Sequence, residues 1–198
     1  MARRCVEDLP DQDDLAQQLG VSDESLGCLG LGWYAEYGCY VFPMRDAGLR
    51  AFGLRTRFRN GSKTSVRGSC SGIFAAGVQR VATSDSLWIC EGPTDTAALL
   101  TVGLQAIGRP SNTGGKGIIL EIAKGWKRRE IFIAADRDRE GSDAERLTML
   151  GATELAEGLR ALRHTVKIVR PPGNKDVREM VKAGATRETF EYLGRNAK

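Results

Sequence analysis

Two short apolar runs, each cut off by carboxylates, constrain this chain more than anything else in it. The first is Leu87-Trp88-Ile89-Cys90, followed by Glu91, Gly92, Pro93, Thr94 and Asp95. The second is Ile131-Phe132-Ile133, two alanines, and then Asp136 and Asp138. An apolar run of that length, bounded by Gly or Pro and followed by a helical pattern, reads as a buried strand of a parallel α/β sheet. Ligands of such sheets bind outside the carboxyl ends of the strands. Glu91, Asp136 and Asp138 therefore arrive together where a ligand is expected. Ionised side by side they repel one another, and a divalent cation relieves that repulsion. Mg²⁺ suits such a place, because it takes one or two carboxylates and keeps other positions for water and phosphate.

Upstream, the period of the sequence changes to two. Residues 39–43 and 49–58 read as strands around the turn Asp46-Ala47-Gly48. Between Arg45 and Arg67 stand seven basic residues (Arg45, Arg50, Arg55, Arg57, Arg59, Lys63, Arg67) and one acid, Asp46. Arg55, Arg57 and Arg59 recur at every second position and share one face of their strand. A solvated sheet face would show the same alternation, but the shortage of acids to pair these cations favours an anion-binding ridge. The Gly-rich segment 68–72 leads into Ile73-Phe74, which is expected to dock in a core. Ahead of the hairpin, 11–19 and 22–29 read as short helices, the first stopped by Gly20 and the second capped by Ser22. Packing on a neighbour is their default role. Residues 1–10 read as a loosely attached start, and 78–85 as a connector.

Downstream of Glu91, residues 94–102 read as a helix with Asp95 in its first turn. There a favourable interaction with the helix dipole and a place in the site are both natural. Gln105-Ala106-Ile107 is a further strand. The Gly-rich stretch from Gly108 to Lys116, with Arg109 and Lys116, suits phosphate binding through backbone N–H groups, although it lacks the Gly-Lys-Ser/Thr of a Walker A loop. Residues 118–126 read as a helix, 152–162 as an amphipathic helix and 166–169 as a fourth strand. Asp176 either caps the helix that follows or adds an outer carboxylate to the site. The tail, 186–198, reads as a surface helix without chemistry.

Glu91-Gly92-Pro93-Thr94-Asp95, followed by Asp136-Arg137-Asp138, resembles the Toprim domain over residues 86–184. Bacterial-type primases, type IA and type II topoisomerases and some small nucleases share that domain. Phe42-Pro43, Arg45-Asp46, Gly48, Gly53, Arg55, Arg57 and Lys63 resemble the small subdomain that precedes it in bacterial-type primases. The resemblance implies an α/β fold: a Toprim unit, which is a Rossmann-like parallel sheet flanked by helices, with a small N-terminal α+β subdomain. It divides the chain at 1–80, 81–184 and a helical tail at 185–198. The implied catalytic residues are Glu91, Asp136 and Asp138. Mg²⁺ or Mn²⁺ would be held by these, with Asp95 and Asp176 as further candidates. Arg45, Arg55, Arg57, Lys63, Arg67, Arg109 and Lys116 are the candidates for contact with nucleotide and template.

The activity so implied is that of a primase-like nucleotidyltransferase. It would build short primers on single-stranded DNA from nucleoside triphosphates, a terminal 3′-hydroxyl attacking the α-phosphate. Two alternatives stay open: a Toprim-type nuclease using the same acids with water as nucleophile, and a non-catalytic nucleic-acid-binding module. The extended Asp-x-Asp-Arg-Glu-Gly also resembles type IA topoisomerases, but 198 residues leave no room for their strand-passage body.

Composition removes other classes. At 198 residues and 41% hydrophobic content, the chain is expected to form one domain with at most a small appendage. It has no apolar run of about 18 residues and no signal-peptide h-region, so neither a membrane span nor secretion is expected. Cys5, Cys28, Cys39, Cys70 and Cys90 contain no Cys-x-x-Cys pair, which argues against disulfides and zinc ribbons and for a cytoplasmic setting. The single histidine, His164, leaves no basis for a His-dependent triad. Family primases usually carry a zinc-binding module and act with a helicase. The resemblance therefore implies a separate zinc-binding or template-recognition module, a helicase partner, or a longer parent chain. Compact forms of this kind resemble primase-related proteins of phages and other mobile elements.

Overall fold

The computed structural model describes residues 12–77 and 86–197. The loose start expected for 1–10, the connector at 78–85 and Cys5 lie outside the described residues. In chain order the elements are α1 (Gln12–Leu19), α2 (Asp23–Leu29), β1 (Gly32–Tyr34), β2 (Cys39–Arg45), β3 (Ala51–Arg57), β4 (Lys63–Ser65) and β5 (Phe74–Ala75). Then come β6 (Ser86–Glu91), α3 (Gly92–Thr101), β7 (Ala106–Arg109), α4 (Lys116–Ala123), β8 (Glu130–Ala134), α5 (Asp143–Ala161), β9 (Thr165–Val169), α6 (Val177–Lys182) and α7 (Arg187–Asn196).

The larger sheet has the order β5-β7-β6-β8-β9. It is parallel from β7 to β9, and β5 is an antiparallel edge. The two apolar runs of the sequence are its central pair, β6 and β8, in register at Ile89 and Ile133. Both faces of these strands are covered, which is why they read as continuous apolar runs. Leu87, Ile89, Ile131 and Ile133 pack under α4 and α5 with Ile119, Leu155 and Leu159. Trp88 and Phe132 face the other way, with ring centroids 4.9 Å apart, and Phe190 of α7 meets the Trp88 ring at 5.5 Å. The tail helix therefore lies on the surface but inserts a fully buried Phe190 into this layer.

The smaller sheet, β1-β2-β3-β4, is antiparallel throughout. Tyr40, Phe42 and Met44 of β2 form a core with Phe74 and with Ala97 and Ala98 of α3, and Leu15, Leu19, Leu26 and Leu29 of the first two helices close it. The two short helices thus pack on a neighbour as expected. The Thr101 hydroxyl donates to the Ser25 hydroxyl at 3.0 Å and accepts the Ser22 N–H at 2.9 Å.

Two expectations change. Ile73-Phe74 does more than dock: Phe74–Ala75 becomes the edge strand of the larger sheet, while Ile73 exchanges backbone hydrogen bonds with Arg45 at 2.8 and 3.0 Å. The two sheets are therefore laced together through the backbone. The helix expected at 152–162 starts at Asp143, where Ser142 caps it by accepting the Glu145 N–H at 3.1 Å. Gly151 lies inside that helix because a Cβ there would overlap the backbone carbonyl of Asn112. Among the described residues, no helix is long and apolar enough to cross a membrane.

Gly151→Ala tests this close approach. Helix propensity alone would make the change stabilising by about 1 kcal/mol. The Asn112 contact should reverse the sign, with a loss of about 1–3 kcal/mol in denaturant unfolding.

Candidate active site

The strand-to-helix turn after β6 brings the first acids into place. Glu91 ends β6 and occupies the N-cap position of α3, and Gly92 makes the turn at φ 77°, a left-handed conformation that glycine adopts without strain. Asp95 follows in the first turn of α3. It is buried, and its Oδ1 accepts the Arg178 N–H at 3.2 Å. Asp136 lies just past β8, in a loop held on both sides: the Ala135 N–H donates to Val169 O at 2.9 Å and the Arg137 N–H to Lys175 O at 2.6 Å. Asp176 caps α6 by accepting the Glu179 N–H at 2.8 Å through Oδ1, and its Oδ2 lies 3.8 Å from the Arg178 guanidinium.

These four acids line one cavity of about 300 Å³ with five basic residues, Arg55, Arg57, Lys63, Lys175 and Arg178. Arg55 and Arg57 come from β3 and Lys63 from β4, so the basic hairpin forms one wall and the strand ends the other. Arg55 fastens that wall by donating from Nη2 to Pro110 O at 2.8 Å.

Several expected residues stand elsewhere. Asp138 does not line the cavity; its Oδ2 accepts the Thr148 hydroxyl at 2.9 Å, although its charge still acts on Glu91 and Asp136. Arg109 is paired in register with Glu91 but is 2% exposed, with Nη1 donating to Asn112 O at 2.6 Å. It is a buried countercharge behind the cavity and not an open phosphate ligand. Lys116 pairs with Glu154 at 2.7 Å on the outside of α4. Arg45 braces the hairpin turn, its Nη1 donating to Leu49 O at 3.2 Å. Arg67 lines a different groove with Tyr34 and Thr56. Arg59 lies beyond β3, 5.9 Å from the Trp33 ring, so the ridge of three arginines shortens to two. Sequence reasoning missed Lys175 and Arg178. Their one sequence signal is that they flank Asp176.

Electrostatics gives the cavity its character. Loss of water pushes the Glu91 carboxyl up, with Arg109 opposing and Asp138 reinforcing. Asp136 is pushed up to about 7, by loss of water first and then by Glu91 and Asp176. Burial, followed by Asp176 and Asp136, carries Asp95 well above the usual carboxylate range. On the opposite wall, loss of water holds Arg57 and Lys63 below their ordinary values. The acids would be relieved by a cation and the bases by an anion.

Among the described residues, no three His, Cys, Asp or Glu side chains converge on a single cation position. The donors present are carboxylate oxygens, the ligand type of a hard cation. Mg²⁺ is usually held by one or two carboxylates together with substrate phosphate, without an all-protein cage. The residues fit a cation shared with a phosphate ligand.

This two-sheet α/β arrangement matches the fold of bacterial and phage primase catalytic cores. The Aquifex aeolicus primase, as its zinc binding and RNA polymerase domains, is similar at TM-score 0.72 and 16% identity, over 99% of this chain and 58% of that one. The DnaG primase catalytic domain bound to single-stranded DNA is similar at TM-score 0.72 and 16% identity, over 99% and 76%. The primase fragment of the bacteriophage T7 primase-helicase protein follows at TM-score 0.60 and 16% identity, over 88% and 72%. No family model matches the sequence, and no curated protein matches it either. At these identities the likeness establishes the fold.

A prediction follows from Asp136. Its folded-state value, about 7, lies above its ordinary 3.8, so between them the folded state binds more protons than the unfolded. Stability contributed there falls as pH rises through that window, and the ionised site is at its least comfortable above it. A bound cation relieves that strain only where the acids are ionised. Thermal unfolding should therefore show a larger Tm gain from Mg²⁺ at about pH 8 than at about pH 5.5, and Asp136→Asn should shrink the difference, leaving the part that Glu91 and Asp95 contribute.

Proposed function

We propose that this chain is a metal-dependent, primase-like nucleotidyltransferase acting on a single-stranded DNA template. One observation carries the reading: Arg55, Arg57 and Lys63 of the hairpin line the same cavity as Glu91, Asp95, Asp136 and Asp176. Cutting a phosphodiester requires the acids. Building one also requires a grip on a triphosphate, which the facing cations offer. The likeness to a primase catalytic domain bound to single-stranded DNA supports the choice of template.

In this reading Glu91 and Asp136 are the residues that would hold Mg²⁺ or Mn²⁺, with Asp138, Asp95 and Asp176 around them. When bound, such an ion neutralises the charge that develops on phosphate oxygens. The chain's own work is positioning and electrostatic complementarity. Arg57, Lys63, Lys175 and Arg178 hold the triphosphate by charge-assisted hydrogen bonds. Arg55 keeps the hairpin wall at its distance through Pro110. Arg109, from behind, opposes the protonation of Glu91. A terminal 3′-hydroxyl held in line with the α-phosphate then attacks it, and pyrophosphate leaves.

The partners proposed are a separate zinc-binding or template-recognition module and a helicase, with the chain working in the cytoplasm. Two of the similar structures support these partners: one includes a zinc binding domain, and the other is the primase fragment of a primase-helicase protein. Among the described residues, Cys28, Cys39, Cys70 and Cys90 form no disulfide.

The test is incubation with single-stranded DNA, labelled nucleoside triphosphates and Mg²⁺ or Mn²⁺. Labelled oligonucleotides are expected from the wild type, reduced on the order of 100-fold or more in Asp136→Ala, the scale of losing one preorganised charge at a transition state. Shortened template without incorporation would identify a nuclease. DNA binding with neither reaction would identify a binding module.

A further inference from the structure

The small sheet has a second face. Along β3, Arg55 and Arg57 point into the acidic cavity, so Thr56 between them points away. On that far side Thr56 lines a groove of about 310 Å³ whose walls are Tyr34, Tyr37, Phe58 and Arg67. Val66 and Arg67 also border a second groove of about 380 Å³. The Tyr34 and Tyr37 rings lie 4.8 Å apart, and Tyr37 is 58% exposed, among the most exposed large hydrophobic residues described. The Tyr34 hydroxyl donates to Glu36 at 3.2 Å, which leaves the ring to form the wall. Nothing in the core requires an aromatic at an exposed position such as Tyr37.

We infer that this groove is a base-stacking site for single-stranded nucleic acid, continuous with the acidic cavity around the edge of the small sheet. The inference rests on the template reading given above. Three observations choose this occupant. First, Arg67 lines the groove with no acid among the lining residues, while Arg55, Arg57 and Lys63 stand on the cavity face of the same small sheet. The partner of such a surface is an anion. Second, the walls are aromatic, so the anion also presents flat π-faces, and a nucleic-acid strand offers phosphate and base in every repeat. Third, the route between the sites is short. β4 has three exposed residues and forms the edge of its sheet; Lys63 lines the cavity, Thr64 points to the groove side with Thr56, and Ser65 borders the groove at the edge. A strand leaving the cavity at Lys63 turns over this edge to place its bases between Tyr37, Phe58 and the Arg67 guanidinium.

The test is fluorescence-anisotropy titration of single-stranded DNA of about 20 nucleotides with the full chain, beside an abasic strand of equal length. Tyr37→Ala should weaken binding of the base-bearing strand roughly 5- to 100-fold, and Tyr37→Phe should restore it, because the ring does the stacking. The salt slope should be unchanged by Tyr37→Ala and reduced by about 0.7 in Arg67→Ala, the loss of one phosphate contact. Tyr192→Ala, an equally exposed tyrosine on α7, should bind as wild type. Wild-type affinity in Tyr37→Ala would overturn the stacking site and leave the template reading standing. An equal loss on the abasic strand would also overturn it. No binding by the wild type would remove both.

Discussion

Carboxylates withdrawn from water at one point set the terms for the rest of this structure. Glu91, Asp95 and Asp136 all resist ionisation, and loss of hydration is the leading cause at each. Such groups are costly unless paired or hydrogen-bonded. Here the compensation comes from far apart in sequence: Lys63 on β4, Arg109 on β7, Lys175 and Arg178 around the start of α6. A core built for stability alone would do better with apolar residues, since replacing buried ion pairs by well-packed hydrophobics is often neutral or stabilising. An arrangement with acids on one wall and bases on the other answers a ligand that carries both signs. A metal-bound triphosphate is such a ligand.

The fold serves that arrangement by lacing two sheets together. β5 leaves the small sheet's region to join the larger sheet, Arg45 and Ile73 exchange backbone hydrogen bonds, and Arg55 reaches Pro110. The basic wall is thereby referenced to the acidic strand ends through backbone contacts. Primase catalytic cores share the fold at 14–17% identity. A shared fold does not by itself confer activity. The case for activity rests on the cavity's own residues.

The strands that carry Glu91 and Asp136 were legible because an apolar run ending in acid, then Gly-Pro or Asp-x-Asp, is a local pattern. The hairpin was legible for the same reason, its period-two arginines being a property of one strand. What was hidden depends on contacts across the chain. Nothing near Lys116 says that it meets Glu154, and nothing near Asp138 points to Thr148. Arg109 reads as part of a phosphate loop until its burial behind Glu91 is seen. Lys175 and Arg178 enter only because Arg137 and Asp95 take hydrogen bonds from or give them to that segment's backbone. Gly151 illustrates the same limit for the fold, since its reason for being glycine lies at Asn112.

That the basic hairpin and the acidic strand ends act on one ligand is the central claim. A double-mutant cycle on nucleoside-triphosphate affinity, with Mg²⁺ present, tests it directly by comparing Arg57→Ala, Asp136→Ala and the pair by calorimetry. If both walls grip the same metal–nucleotide, the losses should fail to add, with a coupling of about 0.5–3 kcal/mol. Additivity to within about 0.5 kcal/mol would contradict it, placing the two residues in independent sites.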